Sequence, residues 1–564
     1  MKYSILVEVY AELEKHSGKI KKAEVVSELL KETPAADLEQ VVLLLGGRVF
    51  PVWSDKEVGV AIQLMIRAVS RAAGISPEEV QKQFNKSGDL GLTAEELSRE
   101  KKQRSFGKKE LTVEHIFEGL RKLAEVSGAG SQERKLDFIA ELLISAKPLE
   151  ARYIVRTVLE QLRVGVAEGI VRDAIAKAYS VSPEDVENAW FLNQDYGEIA
   201  RIAKEEGTEG LKKVRIKIGN PVFVLLAEKA PTLKEAIESF EKVGIEQKID
   251  GARLQVHRKG NQFWVYTRRL ENVTKQFPDI IEYCKKGIRA ENYIVEGECV
   301  AVDKKTERPL PFQALSQRIK RKYDIEKTLK EIPAKLNLFD VVFLDGESLF
   351  EKTLEERRAL LEKIVFPQKG KIELLEQLRT KNLKEADQFY RKALNESQEG
   401  VMVKNLEALY QPGRRVAGGW LKVKPTLENL DLVIVGGTWG TGKRAGWIGS
   451  LLLGCRDPDT GKFLDCGMMG TGVKEKETEG SVTFEQLTKL LKPLILSEKE
   501  SEVKFKPKIV IEVAYEEIQK SPTYESGFGL RFPRFLRIRT DKAPEEADSL
   551  ERLKTIYGQQ KGKK

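Results

Sequence analysis

A lysine that is to act as a nucleophile near neutral pH needs surroundings that favour its neutral amine. The stretch Glu246-Gln-Lys-Ile-Asp-Gly-Ala-Arg253 offers a candidate. Lys248 stands two residues before an Asp-Gly turn, between one strand-like run and a second from Leu254 to His257. Neighbouring cations and partial desolvation lower an amine's pKa enough to supply attacking base. Gly251 permits a tight turn beside a ligand, Asp250 can anchor that turn through local hydrogen bonds, and Arg253 can grip a phosphate with two parallel bonds. Taken alone, Lys-x-Asp-Gly is more often a hairpin corner with a solvated lysine, so the rest of the chain has to decide.

Other stretches carry the chemistry that a nucleotide-transferring lysine would require. Arg268 ends the run Phe263 to Thr267 and offers a second guanidinium. Glu298, in Val295-Glu-Gly-Glu298, and Glu399, in Glu399-Gly-Val-Met-Val-Lys404, could hold a divalent ion or a ribose hydroxyl. Phe339 could stack on a base. Lys422 and Lys424 alternate with Leu421 and Val423, which points both cations to one face of a strand. Each of these residues alone has a structural explanation: a core aromatic, an exposed strand end, a charged sheet edge.

The elements that must position them change along the chain. From Met1 to about Gly210 apolar residues recur at helical spacing, as at Ile116, Leu120, Leu123 and Ala124, and predict an all-helical domain over 1–215. Its candidate contact points are the basic run Lys101 to Lys109 and the amides of Gly128-Ala-Gly-Ser-Gln132, which also read as a helix stop followed by a Ser131 cap. Gly219, Pro221 and Pro231 then break the pattern, and alternating strand-like and helix-like runs predict an α+β domain over 216–426. Short strands separated by glycine-rich turns predict a small β-barrel over 427–564, with a terminal helix from Pro544. Gly437 to Lys443 imitates a phosphate-binding loop, but Arg444 replaces the hydroxyl residue that would hold magnesium, and the run reads as a barrel loop.

With 96 basic and 87 acidic residues, the net charge of +9 permits a polyanionic partner without requiring one. Four cysteines without Cys-x-x-Cys spacing and only three histidines argue against a zinc site or a disulfide scaffold. No run reaches the apolar length of a membrane span and the start is not that of a signal peptide, so the expectation is a cytoplasmic protein.

Taken together and in order, these stretches resemble the covalent nucleotidyltransferases: ATP-dependent DNA ligases, RNA ligases and mRNA capping enzymes. Lys248-Ile-Asp-Gly251 is similar to their first motif, Phe339-Asp340 to the third, Glu399 to Lys404 to the fourth, Lys422-Val-Lys424 to the fifth, and Arg539-Thr-Asp-Lys542 to the last. The string Leu530-Arg-Phe-Pro-Arg-Phe-Leu-Arg-Ile-Arg-Thr-Asp-Lys542, with Pro311 to Leu315 and Arg163-Val-Gly-Val-Ala-Glu168, resembles more narrowly the replicative DNA ligases of archaea and eukaryotes.

That resemblance implies a helical DNA-binding domain, an adenylation domain and an OB-fold barrel, acting on nicked duplex DNA in replication and repair as a nucleoid-associated monomer. It implies ATP and Mg²⁺, with Mn²⁺ as the alternative, and Lys248 as the residue that carries AMP. Glu246 would bind the adenine amino group, Phe339 would stack on its ring, and Arg253 and Glu298 would contact ribose or the nick. Arg268 would join the nucleotide site, Glu298 and Glu399 would place metal, and Lys422 and Lys424 would hold the α-phosphate. Arg539, Asp541 and Lys542 would orient pyrophosphate. Arg414 and Arg415 compete for the arginine that precedes the fifth motif, and Arg415 is preferred. Gln103-Arg-Ser-Phe-Gly107 is the candidate sliding-clamp contact, although it lacks the second aromatic residue of the usual pattern. An RNA ligase or capping enzyme, or a non-catalytic DNA-binding protein on the same fold, is the alternative.

Overall fold

The computed structural model describes the 564-residue chain apart from residues 55, 101–109, 127, 129, 307, 311, 322–323, 397, 414–418, 426–427, 441–443, 445, 476, 478–480, 500 and 561–564. The chain divides into two compact units. One comprises Met1–Ala230, Glu235–Lys381 and Val403–Leu421; the other comprises Pro231–Lys234, Asn382–Met402 and Lys422–Lys564.

The first unit begins with helices, from Tyr3–Lys15 to Tyr196–Lys212. Local sequence sets their ends. Ser76 and Ser182 each accept a hydrogen bond from the third residue of the following helix, with proline at its first position, and Gly74 and Gly88 close helices in left-handed conformation. Ile116, Leu120 and Leu123 enter one apolar core with Leu6, Tyr10 and Tyr153, as their spacing predicts. The Ser131 expectation needs correcting. Helix Ser131–Ser145 is capped by Gly130 at φ 74°, and Ser131 is its first residue, because a left-handed glycine already supplies the turn.

After the helices comes a six-stranded sheet in the order Gln262–Thr267, Ala252–Lys259, Asn292–Ala301, Ala334–Leu344, Glu347–Ser348, with Ile372–Leu374 added parallel to Ala334–Leu344. Alternation divides its faces. Leu254, Val256, Val295, Cys299, Leu336 and Leu338 fill the core beneath it, so Arg253, Gln255, His257, Glu296 and Glu298 take the other face. The strand Val243–Gln247 pairs antiparallel with Gln377–Arg379 in a second sheet.

The second unit is β-rich at its C-terminal end. Strand Leu430–Trp439 pairs antiparallel with Ile448–Arg456, Glu502–Phe505 and Val510–Ala514, and Val510–Ala514 also pairs with Arg534–Ile538. Helix Leu550–Gln559, capped by Ser549, buries Leu553 and Ile556 against the same core. Among the described residues no helix is long and apolar enough to cross a membrane.

Candidate active site

Lys248 follows directly on the strand Val243–Gln247, half-buried. Gly251 earns its place by close approach rather than by a left-handed turn: a Cβ there would lie 2.4 Å from the backbone oxygen of Cys299 and 3.0 Å from Glu298 Cγ. Asp250 accepts from the Phe312 amide, at the start of the helix Phe312–Ile319, at 3.5 Å.

The polar face of the six-stranded sheet carries a continuous network. Register places Arg253 opposite Glu298 and Gln255 opposite Glu296, and Glu296 opposite Asp340. Alternation from Leu336 and Leu338 puts Phe339 on the polar face, where its ring centre lies 5.2 Å from the Arg253 guanidinium, and a bulge opposite Glu296 and Gly297 brings Asp340 to the same face. Glu296, fully buried, accepts from Arg253 Nη2, from Gln255 Nε2 at 3.0 Å and from Tyr410 Oη at 2.9 Å. Arg253 Nη1 donates to the Leu225 oxygen at 2.7 Å. The guanidinium that sequence offered to a phosphate is therefore tied down on one edge by the protein itself. Burial opposes its charge, but Glu296, Tyr410 and Glu298 together outweigh burial and hold its pKa above the usual arginine value. Among the described residues, Arg253 Nε and Trp420 Nε1 are buried donors with no hydrogen-bond partner. Buried donors of that kind mark a place where an acceptor is missing.

Behind this layer, Arg357 grips Asp340 with two bonds of 2.8 and 3.1 Å. His257 is buried among uncharged groups: the Gly219 amide donates to Nδ1 at 3.2 Å, so Nε2 carries the proton and donates to Gln255 Oε1 at 2.8 Å. Burial pushes its pKa down to about 3, so the ring is neutral at working pH.

Glu246 is also fully buried, its carboxylate 2.5 Å from the Lys404 ammonium and bonded to Gln377 Nε2 at 2.9 Å. The same ammonium lies 4.4 Å from the centre of the Phe339 ring and 4.1 Å from that of Trp420, and these two rings meet edge to face. Burial pulls the Lys404 pKa down, and Glu246 works against it. Arg268 ends its strand exposed, and Glu298 is half-buried.

In the second unit, Lys424 stands one residue beyond the strand Trp420–Val423, its ammonium 2.9 Å from Glu399 and 3.4 Å from Glu516. Burial disfavours its charge, but the two carboxylates prevail and its pKa is raised. Gly400 lies at φ 139°, where a Cβ would come within 2.1 Å of the Val423 oxygen, so only glycine fits between Glu399 and that strand. Arg539 and Lys542 both bind Asp431, and Arg539 also binds Asp541. Glu298 belongs to the first unit, and Glu399, Lys422, Lys424, Arg539, Asp541 and Lys542 belong to the second. Arg414, Arg415 and the candidate clamp contact Gln103 to Phe106 lie outside the described residues.

Sequence reasoning passed over Glu296, Lys404, Tyr410 and Asp431. Glu296 could have been found, because two-residue alternation puts it on the face of Glu298. Lys404 ended a quoted motif string without being assigned a role. Tyr410 and Asp431 carry no local signal and come to their partners only through the fold.

Comparison with known proteins follows this geometry. Residues 224–424 match the family model of the ATP dependent DNA ligase domain, residues 2–176 that of the DNA ligase N terminus, and residues 444–542 that of the ATP dependent DNA ligase C terminal region. The chain is 50% identical over 567 residues to a DNA ligase of Nanoarchaeum equitans, covering 100% of this chain and 99% of that one. It is 46% identical to a DNA ligase of Thermococcus onnurineus, covering 99% of this chain and 98% of that one. Among solved structures, Pmar-Lig_PreS3 is similar in fold, with a TM-score of 0.55 and 19% identity over 95% of this chain and 99% of that one.

Proposed function

The chain belongs to the ATP-dependent DNA ligase family, and from that premise we propose that it seals nicks between a 3′-hydroxyl and a 5′-phosphate in duplex DNA, in replication and repair. The Lys248 amine attacks the α-phosphorus of ATP, the bond to pyrophosphate breaks, and the lysine nitrogen loses a proton as it takes AMP. The 5′-phosphate of the nick then attacks the same phosphorus and displaces the lysine. Finally the 3′-hydroxyl attacks the 5′-phosphorus and AMP leaves. Each step is an in-line displacement in which positioning and charge neutralisation do most of the catalysis.

The observation that carries this reading is the placement of Lys248 directly after a strand, three residues before a glycine whose Cβ would strike the Cys299 oxygen. The chain's own residues then have these roles. Glu246 accepts from the adenine amino group, Phe339 stacks on its ring, and Arg253 and Glu298 reach ribose or the nick, a role the unpartnered Arg253 Nε supports. Arg268 and Arg415 contact the nucleotide, Lys422 and Lys424 hold the α-phosphate, and Arg539, Asp541 and Lys542 orient pyrophosphate. Glu298 in the first unit and Glu399 in the second each offer hard oxygen donors of the kind Mg²⁺ or Mn²⁺ prefers, and an ion bound at either would neutralise phosphate charge. The division at 1–215, 216–426 and 427–564 belongs to the same reading, supported by three separate family matches. So do a monomeric state and a clamp contact at Gln103 to Phe106, which gel filtration with and without a clamp ring would test.

The deciding experiment is incubation with ATP labelled at the α-phosphate, followed by denaturation and a chase with nicked DNA. Label should stay on the wild-type protein, be absent from Lys248→Ala, and leave with nicked DNA. Wild-type protein that takes no label would overturn the proposal.

A further inference from the structure

We propose that Asp431 is a holding residue for the two cations that orient the leaving pyrophosphate, and that the triphosphate has to displace it from Arg539 and Lys542 before Lys248 is adenylated. The inference rests on the ligase reading above and on the pyrophosphate role given there to these cations.

Both Asp431 oxygens are used. Arg539 Nη1 donates to Oδ1 at 2.9 Å and to Oδ2 at 2.7 Å, and Lys542 Nζ donates to Oδ2 at 2.7 Å. The other edge of Arg539 is taken by Asp541, through Nε at 3.0 Å and Nη2 at 2.8 Å. One carboxylate thus occupies the Nε–Nη2 edge with which the guanidinium would clasp a phosphate, and the other takes Nη1. Two cations face two carboxylates, so the cluster offers an arriving polyanion little net charge until one partner is exchanged.

Asp431 is placed by backbone, not by its charge. Its amide donates to Asp548 Oδ2 at 2.7 Å, and its oxygen accepts from the Asp548 amide at 2.8 Å. Asp431 at 12% and Arg539 at 15% are about equally enclosed, while Lys542 is 30% exposed, so Lys542 is the cation held by Asp431 that an incoming phosphate reaches first. Hydrogen bonding to Asp541 and then the charge of Asp431 hold the Arg539 pKa above its ordinary value, as expected of a cation with two anionic partners. A triphosphate carries several charges against the single one of Asp431 and can win the exchange. Until it does, the cations are kept from phosphates that are not part of ATP.

The test is Asp431→Asn, which keeps the size of the side chain and both backbone bonds but removes the charge. Lysyl-AMP formation is measured in single turnover against ATP concentration, beside sealing of a nick that already carries AMP. The ATP concentration giving half the maximal rate should fall roughly twofold to fivefold, the range expected for one partly exposed ion pair. The maximal rate and the sealing of the pre-adenylated nick should stay within about twofold, since neither depends on the competition. In an Arg539→Gln/Lys542→Gln background the shift should vanish. A half-maximal concentration that is unchanged or higher, equal losses in adenylation and sealing, or a shift that survives in that background overturns the inference. Asp431→Ser gives the same readout if the asparagine variant does not fold. Wild-type protein that forms no lysyl-AMP would instead remove the ligase reading and this inference with it; wild type that forms it while Arg539→Gln/Lys542→Gln keeps normal ATP dependence removes this inference alone.

Discussion

Replacing Lys404 by methionine removes the ammonium from a pair that has almost no access to water: the Lys404 side chain is 2% exposed and that of Glu246 1%. The carboxylate is left with Gln377 as its remaining side-chain donor. Breaking one partner of a buried ion pair costs about 3 to 5 kcal/mol, because the other charge stays desolvated. Lost attraction to the Phe339 and Trp420 rings adds to that, while the methionine restores apolar packing. A chain of two compact units does not unfold in one step, so a single global stability is the wrong readout. Hydrogen exchange of the strands Val243–Gln247 and Val401–Asn405 reports the damage locally. At about 1.4 kcal/mol per tenfold, exchange through opening should quicken by roughly two to three and a half powers of ten. Lys404→Met/Glu246→Gln, which removes both charges, should recover most of this. If the single variant changes exchange in these strands by less than about tenfold, or the double variant is as damaged as the sum of the singles, the pair is not the buried ion pair described.

Three further outcomes are expected. The His257 pKa is depressed to about 3 from 6.5, so below pH 6.5 the unfolded chain binds a proton that the folded one refuses. Stability is therefore lost as pH falls from 6.5 toward 3, by up to roughly 4 to 5 kcal/mol at the lower end, and His257→Asn should flatten the acid limb of a pH-unfolding series; an unchanged slope refutes the assignment. Gly251→Ala forces a Cβ to within 2.4 Å of a backbone oxygen, and lysyl-AMP formation should drop by at least about a hundredfold with circular dichroism preserved. Glu296→Gln keeps the size of the side chain but weakens its hold on Arg253; kcat/KM for ATP should fall about tenfold or more, and an unchanged value would mean that Arg253 needs no such support.

The helical and strand-like runs and the motif strings were legible in the sequence because each depends on neighbours within a few residues. The cap before helix Ser131–Ser145 was not, because the left-handed Gly130 takes the place expected of Ser131. What could not be read is what happens between strands. The use of Gly251 as a close-approach glycine depends on Cys299, forty-eight positions away by the numbering. Phe339 was identified from its motif, but the bulge that brings Asp340 to the same face leaves no mark in an alternating pattern. Arg253 was read as a phosphate ligand because type and spacing say what a guanidinium could do, not what already occupies it. Only cross-strand register puts Glu296 beside it.

The same point bears on how cations suited to a triphosphate can be held before it arrives. A cation without an anion is costly to desolvate, and carboxylates stand beside five of them: Glu296 by Arg253 and Glu246 by Lys404 in the first unit, Glu399 by Lys424 and Asp431 by Arg539 and Lys542 in the second. Their burial separates two uses. Lys404 at 2% and Arg253 at 12% exposure are shut in with partners that are 1% and 0% exposed, and exchanging those partners would strand a charge in the interior. Lys424 at 23% and Lys542 at 30% can trade a carboxylate for a phosphate at the edge of solvent, where the released anion is rehydrated. Variants of the first two should therefore fail in folding and positioning at every ATP concentration, whereas variants that weaken the carboxylates of the second two should shift the ATP concentration required; finding the reverse in a titration of lysyl-AMP formation would refute this division.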